Sequence, residues 1–345
     1  MTYYAQEFTI KQDMNSNSFF GGKGIMRRKI SKVVLIISIL SLIFAAGCSA
    51  PTKKDSSNLK LKIGALPIED ILPILVAERQ GYFEEEGVEV ELIPFQSAIE
   101  SQSAIQAGQL DGMITDTIVA ILLNNSGLDV KITSLTLGST PKEGRFAIVA
   151  APGSDINSPA DLKGKTIGIS NNSIIEYVTD GLLQEVGIDP SEVTKTSVPK
   201  IPVRVEMLLN NQIDAINVPD PLVSFAEFKG SKIILEDTVT QNLSQAVVIM
   251  TPEALKEKNE ALRLFYSAYA KAVKDINSNP ADFKDLLVDN VNIPEPIAES
   301  YTIQKYPEPQ LPKQEEIENV IEWLDKKQLL KKPASYEDVI DKGLF

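Results

Sequence analysis

Apolar and polar residues follow two different periods along this chain, and the two periods predict alternating strands and helices. Leu59 to Ile63 and Val88 to Ile93 alternate apolar with polar positions, as strands do, and Val130 to Leu137 is mostly apolar. Asp70 to Gln80 and Ser97 to Ala107 have helical spacing, and a glycine follows each run. Together with a short strand and helix near residue 116, this order predicts a mostly parallel sheet with right-handed crossovers.

The alternation continues in the second half and then gives way to helices. The next predicted strands are Arg145 to Ala150, Lys165 to Ile169, Val193 to Val198, Lys232 to Leu235 and Ala246 to Met250. Ser170 to Ser173 lead into a helix that ends at Val186, and Val203 to Leu209 is a further helix. Beyond Pro252 the predicted helices are Glu253 to Lys258, Ala261 to Ile276, Ala281 to Val288, Ile297 to Tyr306 and Glu315 to Lys327.

One local arrangement occurs twice, about a hundred residues apart. Gln109 to Asp116 follows a helix, forms a short apolar run and ends on a carboxylate before a second helix. Gln212 to Val218 does the same, and Asp220 follows it between two prolines. Ligands in open α/β sheets bind beyond the carboxyl ends of strands, so the repeat favours two similar lobes around a shared cleft. The alternative is that both stretches are ordinary helix–strand connections.

Composition excludes several classes of protein. A length of 345 residues is typical of about two domains. The chain has 43% hydrophobic and 23% charged positions, so it can bury a substantial core. A net charge of −13 argues against binding to nucleic acid or to anionic lipid. The chain has no histidine, which excludes His-based triads and His metal ligands, and its one cysteine excludes an intramolecular disulfide.

The N-terminal segment has the pattern of an export signal. Met26 to Lys32 is basic, Val33 to Ala46 is largely apolar, and small residues precede Cys48. Small residues directly before a cysteine resemble the bacterial lipobox, in which the thiol is acylated and the chain is cut before it. We therefore expect a signal peptide over about 26–47 within an N-terminal extension 1–47, a lipid on Cys48, and a flexible tether over 48–58. A buried core cysteine is the alternative, and the start codon can be Met1 or Met26.

Four short runs resemble a known family. These are AERQGYFEEEGVEV at 77–90, IQAGQLD at 105–111, SPADLKGK at 158–165 and LNNQIDA at 209–215. Their order and spacing resemble those of substrate-binding proteins of the SsuA/THI5-like (NMT1) family. The resemblance implies a type II periplasmic-binding-protein fold, with two α/β lobes, a hinge and a helical C-terminus. Lobe 1 would comprise 59–146 plus 246–345, and lobe 2 would comprise 147–245.

Polar side chains at the predicted strand ends are the candidate ligand contacts. Free backbone N–H groups at a helix start suit an anionic group, carboxylates accept from an amine or amide, and a guanidinium pairs a sulfonate or carboxylate. Helix capping or a surface salt bridge is the alternative role for each of these residues. We do not expect a metal site at Glu84 to Glu86, because adjacent helical residues point in different directions. The candidates are Leu66, Pro67, Gln96, Ser97, Asp116, Arg145, Asn171, Asn172, Ser173 and Asp220.

The resemblance implies a solute receptor that is not an enzyme. We expect a lipid-anchored monomer on the outer face of the cytoplasmic membrane, which delivers a small solute to an ABC permease and its ATPase. Sulfonates, taurine and thiamine-precursor pyrimidines are the solute types that the family implies, and no cofactor or metal is expected. A surface sensor lipoprotein is the main alternative. An enzyme on the same fold is the other, although pyrimidine synthases of this kind use histidine, which the chain lacks.

Overall fold

The computed structural model describes residues 59–239, 243–291 and 293–344. The predicted signal peptide, Cys48 and the tether lie outside the described residues. Within the described ranges, no helix combines the length and the apolar character needed to cross a membrane.

Sheet A has five strands in the order β2-β1-β3-β10-β4. Its strands are β1 Lys60–Ala65, β2 Glu89–Pro94, β3 Gly112–Asp116, β4 Lys131–Leu137 and β10 Ala246–Met250. Strand β1 pairs in parallel with β2 and β3, whereas β10 is antiparallel to both β3 and β4. Four strands therefore run in one direction and β10 runs against them, so the predicted mostly parallel sheet is confirmed.

Sheet B repeats this arrangement in the order β7-β6-β8-β5-β9. Its strands are β5 Phe146–Ala150, β6 Thr166–Ile169, β7 Thr194–Ser197, β8 Ala215–Pro219 and β9 Lys232–Glu236. Strand β6 is parallel to β7 and β8, and β5 is antiparallel to β8 and β9. Each sheet thus has its reversed strand in fourth place, and β3 and β8 occupy equivalent third places.

Helices cover the faces of both sheets. They are α1 Leu72–Arg79, α2 Tyr82–Glu86, α3 Ala98–Gln106, α4 Thr117–Leu123, α5 Ile174–Glu185, α6 Ile201–Leu209, α7 Leu222–Phe228, α8 Pro252–Glu257, α9 Asn259–Ser278, α10 Lys284–Asn290, α11 Glu295–Ala298, α12 Gln314–Lys326 and α13 Tyr336–Val339. Helix α9 buries Phe265, Tyr266 and Tyr269, and Phe265 stacks on Phe83 of α2 at 5.8 Å between ring centroids. Burying a side chain of this size contributes roughly 1.5–3 kcal/mol, so α9 is a main part of the sheet A core.

Helix α12, near the C-terminus, packs against the cores of both sheets. Its apolar face buries Ile317, Val320 and Leu324. Beside them Trp323 contacts Tyr177 of α5 edge-on, at 5.4 Å between ring centroids, and donates its indole N–H to Asp180 at 3.1 Å. Because α5 follows a strand of sheet B, this contact ties the C-terminal region to both halves of the fold.

One predicted helix is wrong. We expected Ile297 to Tyr306 to be helical, but the helix there is limited to Glu295–Ala298. The tyrosine hydroxyls of the following stretch bond instead to one distant residue. Tyr301 donates to the Glu69 carboxyl group and Tyr306 donates to the Glu69 carbonyl oxygen at 2.8 Å. These tertiary bonds and the buried side chains of the stretch outweigh its helical spacing.

Candidate functional site

A cavity lies between the carboxyl ends of the central strands of the two sheets. About 90 Å³ of it is wide enough to hold the centre of a water molecule, so the cavity is narrow. Apolar residues form much of its wall: Leu66, Ile68, Ile114, Leu137, Ile174 and Ile201. Charged residues of both sheets also line it: Glu69, Asp70, Asp116, Glu143, Arg145, Arg204 and Asp220. An apolar wall with a few polar groups is the common composition of a ligand site.

Asp116 ends strand β3 and binds two backbone N–H groups. Its Oδ1 accepts from Val119 at 2.8 Å, which caps helix α4, and its Oδ2 accepts from Ile174 at 3.2 Å. Ile174 begins helix α5, which follows a strand of sheet B, so the second bond crosses between the sheets. Burial raises the pKa of Asp116 to about 6, although the two backbone N–H groups favour its charged form.

Asp220 follows strand β8, the strand of sheet B equivalent to β3. Its Oδ1 accepts from the backbone N–H of Ser224 at 2.9 Å and from the Ser224 hydroxyl at 2.8 Å. Its Oδ2 lies 3.6 Å from Nη1 of Arg145, whose Nη2 lies 2.6 Å from Glu236. Burial raises the pKa of Asp220, and Ser224 and Arg145 oppose that rise.

Two helix starts were predicted as possible anion sites, and at both of them side chains of the protein accept hydrogen bonds from the backbone N–H groups. Ser173 accepts from Ile175, and Asp116 accepts from Ile174, at the start of α5. Ser97 accepts from Glu100 at the start of α3, and the Glu100 carboxylate accepts from the backbone N–H of Gln96 at 3.0 Å. Carboxylates of the chain therefore occupy positions that an anionic ligand would need.

The cavity brings together half of the predicted ligand contacts. Leu66, Asp116, Arg145, Ser173 and Asp220 line it. Pro67 and Gln96 line a smaller neighbouring pocket, and Ser97 is buried at its helix start. Asn171 and Asn172 are exposed, and the Asn172 N–H donates to Glu176 at 2.8 Å. Contact of each residue with a ligand stays a prediction.

Residues 68–283, more than half of the chain, match the profile of the NMT1/THI5-like family. The chain belongs to the NMT1/THI5-like family.

Individual relatives agree with this assignment. The formylaminopyrimidine-binding protein of Halalkalibacterium halodurans is 23% identical over 327 residues, which cover 88% of this chain and 96% of the relative. A Brachyspira hyodysenteriae protein, provisionally named an ABC transporter periplasmic binding protein, is 24% identical over 74% of this chain and 76% of its own length. The alkanesulfonate-binding protein SsuA of Xanthomonas axonopodis, solved with bound MOPS, superposes with a TM-score of 0.69 at 16% identity, over 81% of this chain and 98% of SsuA. The predicted type II periplasmic-binding-protein fold is therefore confirmed.

This NMT1/THI5-like chain also places three charged residues at the cavity that sequence reasoning missed. Glu69 and Asp70 directly follow the Leu66–Ile68 loop, but the helical pattern assigned Asp70 to a helix start. Burial raises the pKa of Glu69 to about 8, against a lowering by the Tyr301 hydroxyl, and burial raises the pKa of Asp70 well above its usual value. Glu69 is therefore largely protonated at neutral pH, and burial also favours the neutral form of Asp70.

Arg204 is the third missed residue, and its side chain is fully buried. Its Nε donates to the Val198 carbonyl at 2.9 Å and its Nη1 donates to the Asn217 carbonyl at 2.7 Å. Burial lowers its pKa to about 10, so it remains charged at neutral pH. Helical spacing alone gives no sign that this arginine points inward onto the ends of strands.

Proposed function

We propose that this chain is a lipid-anchored, extracytoplasmic solute-binding protein of an ABC importer. The observation that carries the proposal is the cavity at the carboxyl ends of β1 and β3 in sheet A and of β6 and β8 in sheet B. A pocket with walls from both sheets encloses a solute only when the two halves are close together. Opening and closing of the halves would therefore admit and hold the solute.

The proposed lobes are residues 59–146 with 246–345 and residues 147–245. The chain passes from sheet A to sheet B after β4 and returns after β9, and two crossings suit a hinge. Asp116 pairs in register with Ala246, and Phe146 pairs in register with Pro219, so the strand ends that carry both acids lie beside these crossings. A hinge motion would therefore change the spacing between the cavity walls directly.

The proposed solute is a small organic molecule of the sulfonate, taurine or thiamine-precursor pyrimidine type. The names of a formylaminopyrimidine-binding and an alkanesulfonate-binding relative support this range. The largely apolar wall of the cavity suits the carbon skeletons of these molecules.

We further propose that Cys48 carries the lipid and that the soluble part acts as a monomer beside a permease and its ATPase. The lipobox-like sequence before Cys48 supports the anchor. Replacement of Cys48 by Ser should release the protein from the membrane fraction. Recovery of Cys48→Ser in membranes to the same extent as the native protein would contradict the anchor but would leave solute binding open.

An enzyme on this fold is the weaker candidate. The chain contains no histidine for general acid–base chemistry at neutral pH, and its one cysteine lies in the export signal. A surface sensor that uses the same cavity would bind the same solute, and the absence of a neighbouring permease gene would favour it.

A thermal-shift assay with the full chain in detergent tests the proposal. We expect one class of solute to raise the melting temperature, because a ligand at a hundredfold excess over Kd stabilises the folded state by roughly 2.7 kcal/mol. Native mass spectrometry of the gently purified protein should show the same class of solute retained. Failure of every sulfonate, amine and pyrimidine to shift the melting temperature, with no retained solute, would contradict solute binding.

A further inference from the structure

The titratable groups around the cavity are mainly acidic. Five carboxyl groups line it, from Glu69, Asp70, Asp116, Glu143 and Asp220, against the guanidinium groups of Arg145 and Arg204. The Arg145 guanidinium contacts Glu236 and Asp220, and Arg204 donates to backbone carbonyl oxygens. Each cation is therefore already engaged by the protein, which disfavours an anionic head group as the ligand.

The backbone N–H groups at the cavity lead to the same conclusion. An anion at the start of α5 would compete with the Asp116 carboxylate for the Ile174 N–H. An anion at the start of α3 would compete with the Glu100 carboxylate for the Gln96 N–H. Displacing either acid would break one of its hydrogen bonds, so an anion would gain less there than at a free helix start.

Glu69 and Asp70 are two neighbouring acidic residues that line the sheet A side of the cavity. Asp70 is only 5% exposed and lines the cavity. Its Oδ1 atom has no hydrogen-bond partner among the described residues. Tyr301 and Asp220 influence the pKa of Glu69, and Glu69 influences the pKa of Asp70. Tyr269 and Tyr306 lie close enough to Asp70 for its carboxyl group to raise the pKa of each hydroxyl. A buried oxygen without a partner is a costly feature, and a ligand that donates to it removes the cost.

We propose that Asp70, supported by Glu69, is the specificity-determining subsite of the cavity and binds an amino or amidine nitrogen of the ligand. This inference rests on the proposed solute-binding function and selects the nitrogen-bearing solutes over the simple sulfonates. A neutral carboxyl group both donates and accepts, so it pairs with the N–C–NH₂ edge of an amidine or amino heterocycle. An amidinium cation instead favours the ionised carboxylate, and the pair is then a charge-assisted hydrogen bond.

Calorimetric titration of the full chain tests the subsite with two probes that bear nitrogen and one that does not. The probes are benzamidine, 4-amino-5-hydroxymethyl-2-methylpyrimidine and propanesulfonate. We expect at least one nitrogen probe to bind and propanesulfonate to bind at least tenfold more weakly. Asp70→Leu should reduce the affinity for that nitrogen probe at least tenfold, because the leucine side chain has a similar size but neither donates nor accepts a hydrogen bond.

Asp180→Leu is the matched control. Asp180 is also 5% exposed but lies away from the cavity, where it accepts from Lys195 at 2.8 Å. This control should lower the melting temperature and leave the affinity unchanged. Asp70→Leu should show the opposite pattern, with an unchanged or higher melting temperature, because a buried oxygen atom without a hydrogen-bond partner is removed.

Three results would overturn the inference. Unchanged affinity in Asp70→Leu would remove Asp70 from the subsite. Binding of propanesulfonate as tightly as the nitrogen probes would reject the ligand class and leave the proposed solute-binding function standing. Binding of none of the three, with no retained solute in native mass spectrometry, would reject the proposed function as well.

Discussion

Asp116 and Asp220 occupy equivalent places in the two sheets but have different partners. Asp116 ends the strand in third place of sheet A, and Asp220 follows the strand in third place of sheet B. Each accepts from a backbone N–H in the first turn of the next helix, that of Val119 and of Ser224 respectively. Asp116 then accepts from Ile174 at the start of a helix in the other half, whereas Asp220 contacts Arg145, which lies at the chain crossing directly before strand β5 of its own sheet.

The difference shows how a repeated arrangement acquires two roles. A carboxylate that binds a backbone N–H across the cavity is a link between the halves, and opening the cavity must break it. A carboxylate that pairs with a nearby arginine stays satisfied whether the cavity is open or closed. Asp116 is therefore expected to report on closure, and Asp220 on the integrity of the sheet B half.

Replacement of Asp116 by Ala should have the largest effect on stability. The variant loses a helix cap, worth about 1 kcal/mol, and leaves the Ile174 N–H without its acceptor, which costs about 1–3 kcal/mol. We expect a total loss of roughly 2–4 kcal/mol in urea denaturation. A loss no greater than that of Asp220→Ala would show that the cross-sheet bond is not the source of the difference.

The pH dependence of stability should carry the signature of Asp116. Its pKa in the folded protein, about 6, is above the ordinary 3.8, so the folded state holds the proton more tightly. The contribution is fully present below pH ~4 and is lost as pH rises through about 6, on the order of 2–3 kcal/mol at 1.4 kcal/mol per pKa unit.

Asp116→Asn provides the control for this pH effect. Urea denaturation of the variant should give a flatter stability curve between pH 4 and 6. Glu69, with a pKa of about 8, should maintain the decline above pH 6 in both proteins. Identical curves for the variant and the native protein from pH 4 to 6 would contradict the assignment.

Replacement of Asp220 by Ala should have a smaller effect. Arg145 keeps its contact with Glu236, so the main loss is the cap on Ser224, and we expect a cost of roughly 1–2 kcal/mol. Solution scattering should find the same radius of gyration as for the native protein. An expanded particle would mean that Asp220, too, holds the halves together.

Replacement of Lys200 by Ala should have the smallest effect. Lys200 of the sheet B half pairs with Glu100 of the sheet A half at 3.0 Å, but their side chains are 55% and 38% exposed. Solvent screening weakens such a pair, so the denaturation midpoint should not move measurably. A clear shift of the denaturation midpoint would mean that the pair of Lys200 and Glu100 holds the two halves together, as Asp116 does.

The strands were predicted from sequence more fully than the site. Alternation and glycine stops depend on neighbours along the chain, so every predicted strand from Leu59 to Met250 appears in the structure. The predicted helix Ile297 to Tyr306 failed because Tyr301 and Tyr306 bond to Glu69, more than two hundred residues earlier. No local pattern records such a bond.

The site shows the same limit at the level of single residues. Strand-end reasoning brought Asp116 and Asp220 to the cavity, because topology alone fixes where strands end. It missed Arg204, whose inward direction depends on carbonyl groups of neighbouring strands. It also missed Glu69 and Asp70, because a helix start is usually solvated and burial is set by segments distant in sequence.

Two tryptophan variants on one helix test the central proposal, that the cavity between the sheets holds the solute. Ala98 lines the cavity at the start of α3, and Ala107 is exposed just beyond its end. We expect calorimetry to show that Ala107→Trp binds the solute as the native protein does, whereas Ala98→Trp fills the cavity and binds none, although both remain folded. Native affinity in a folded Ala98→Trp variant would contradict the proposed site.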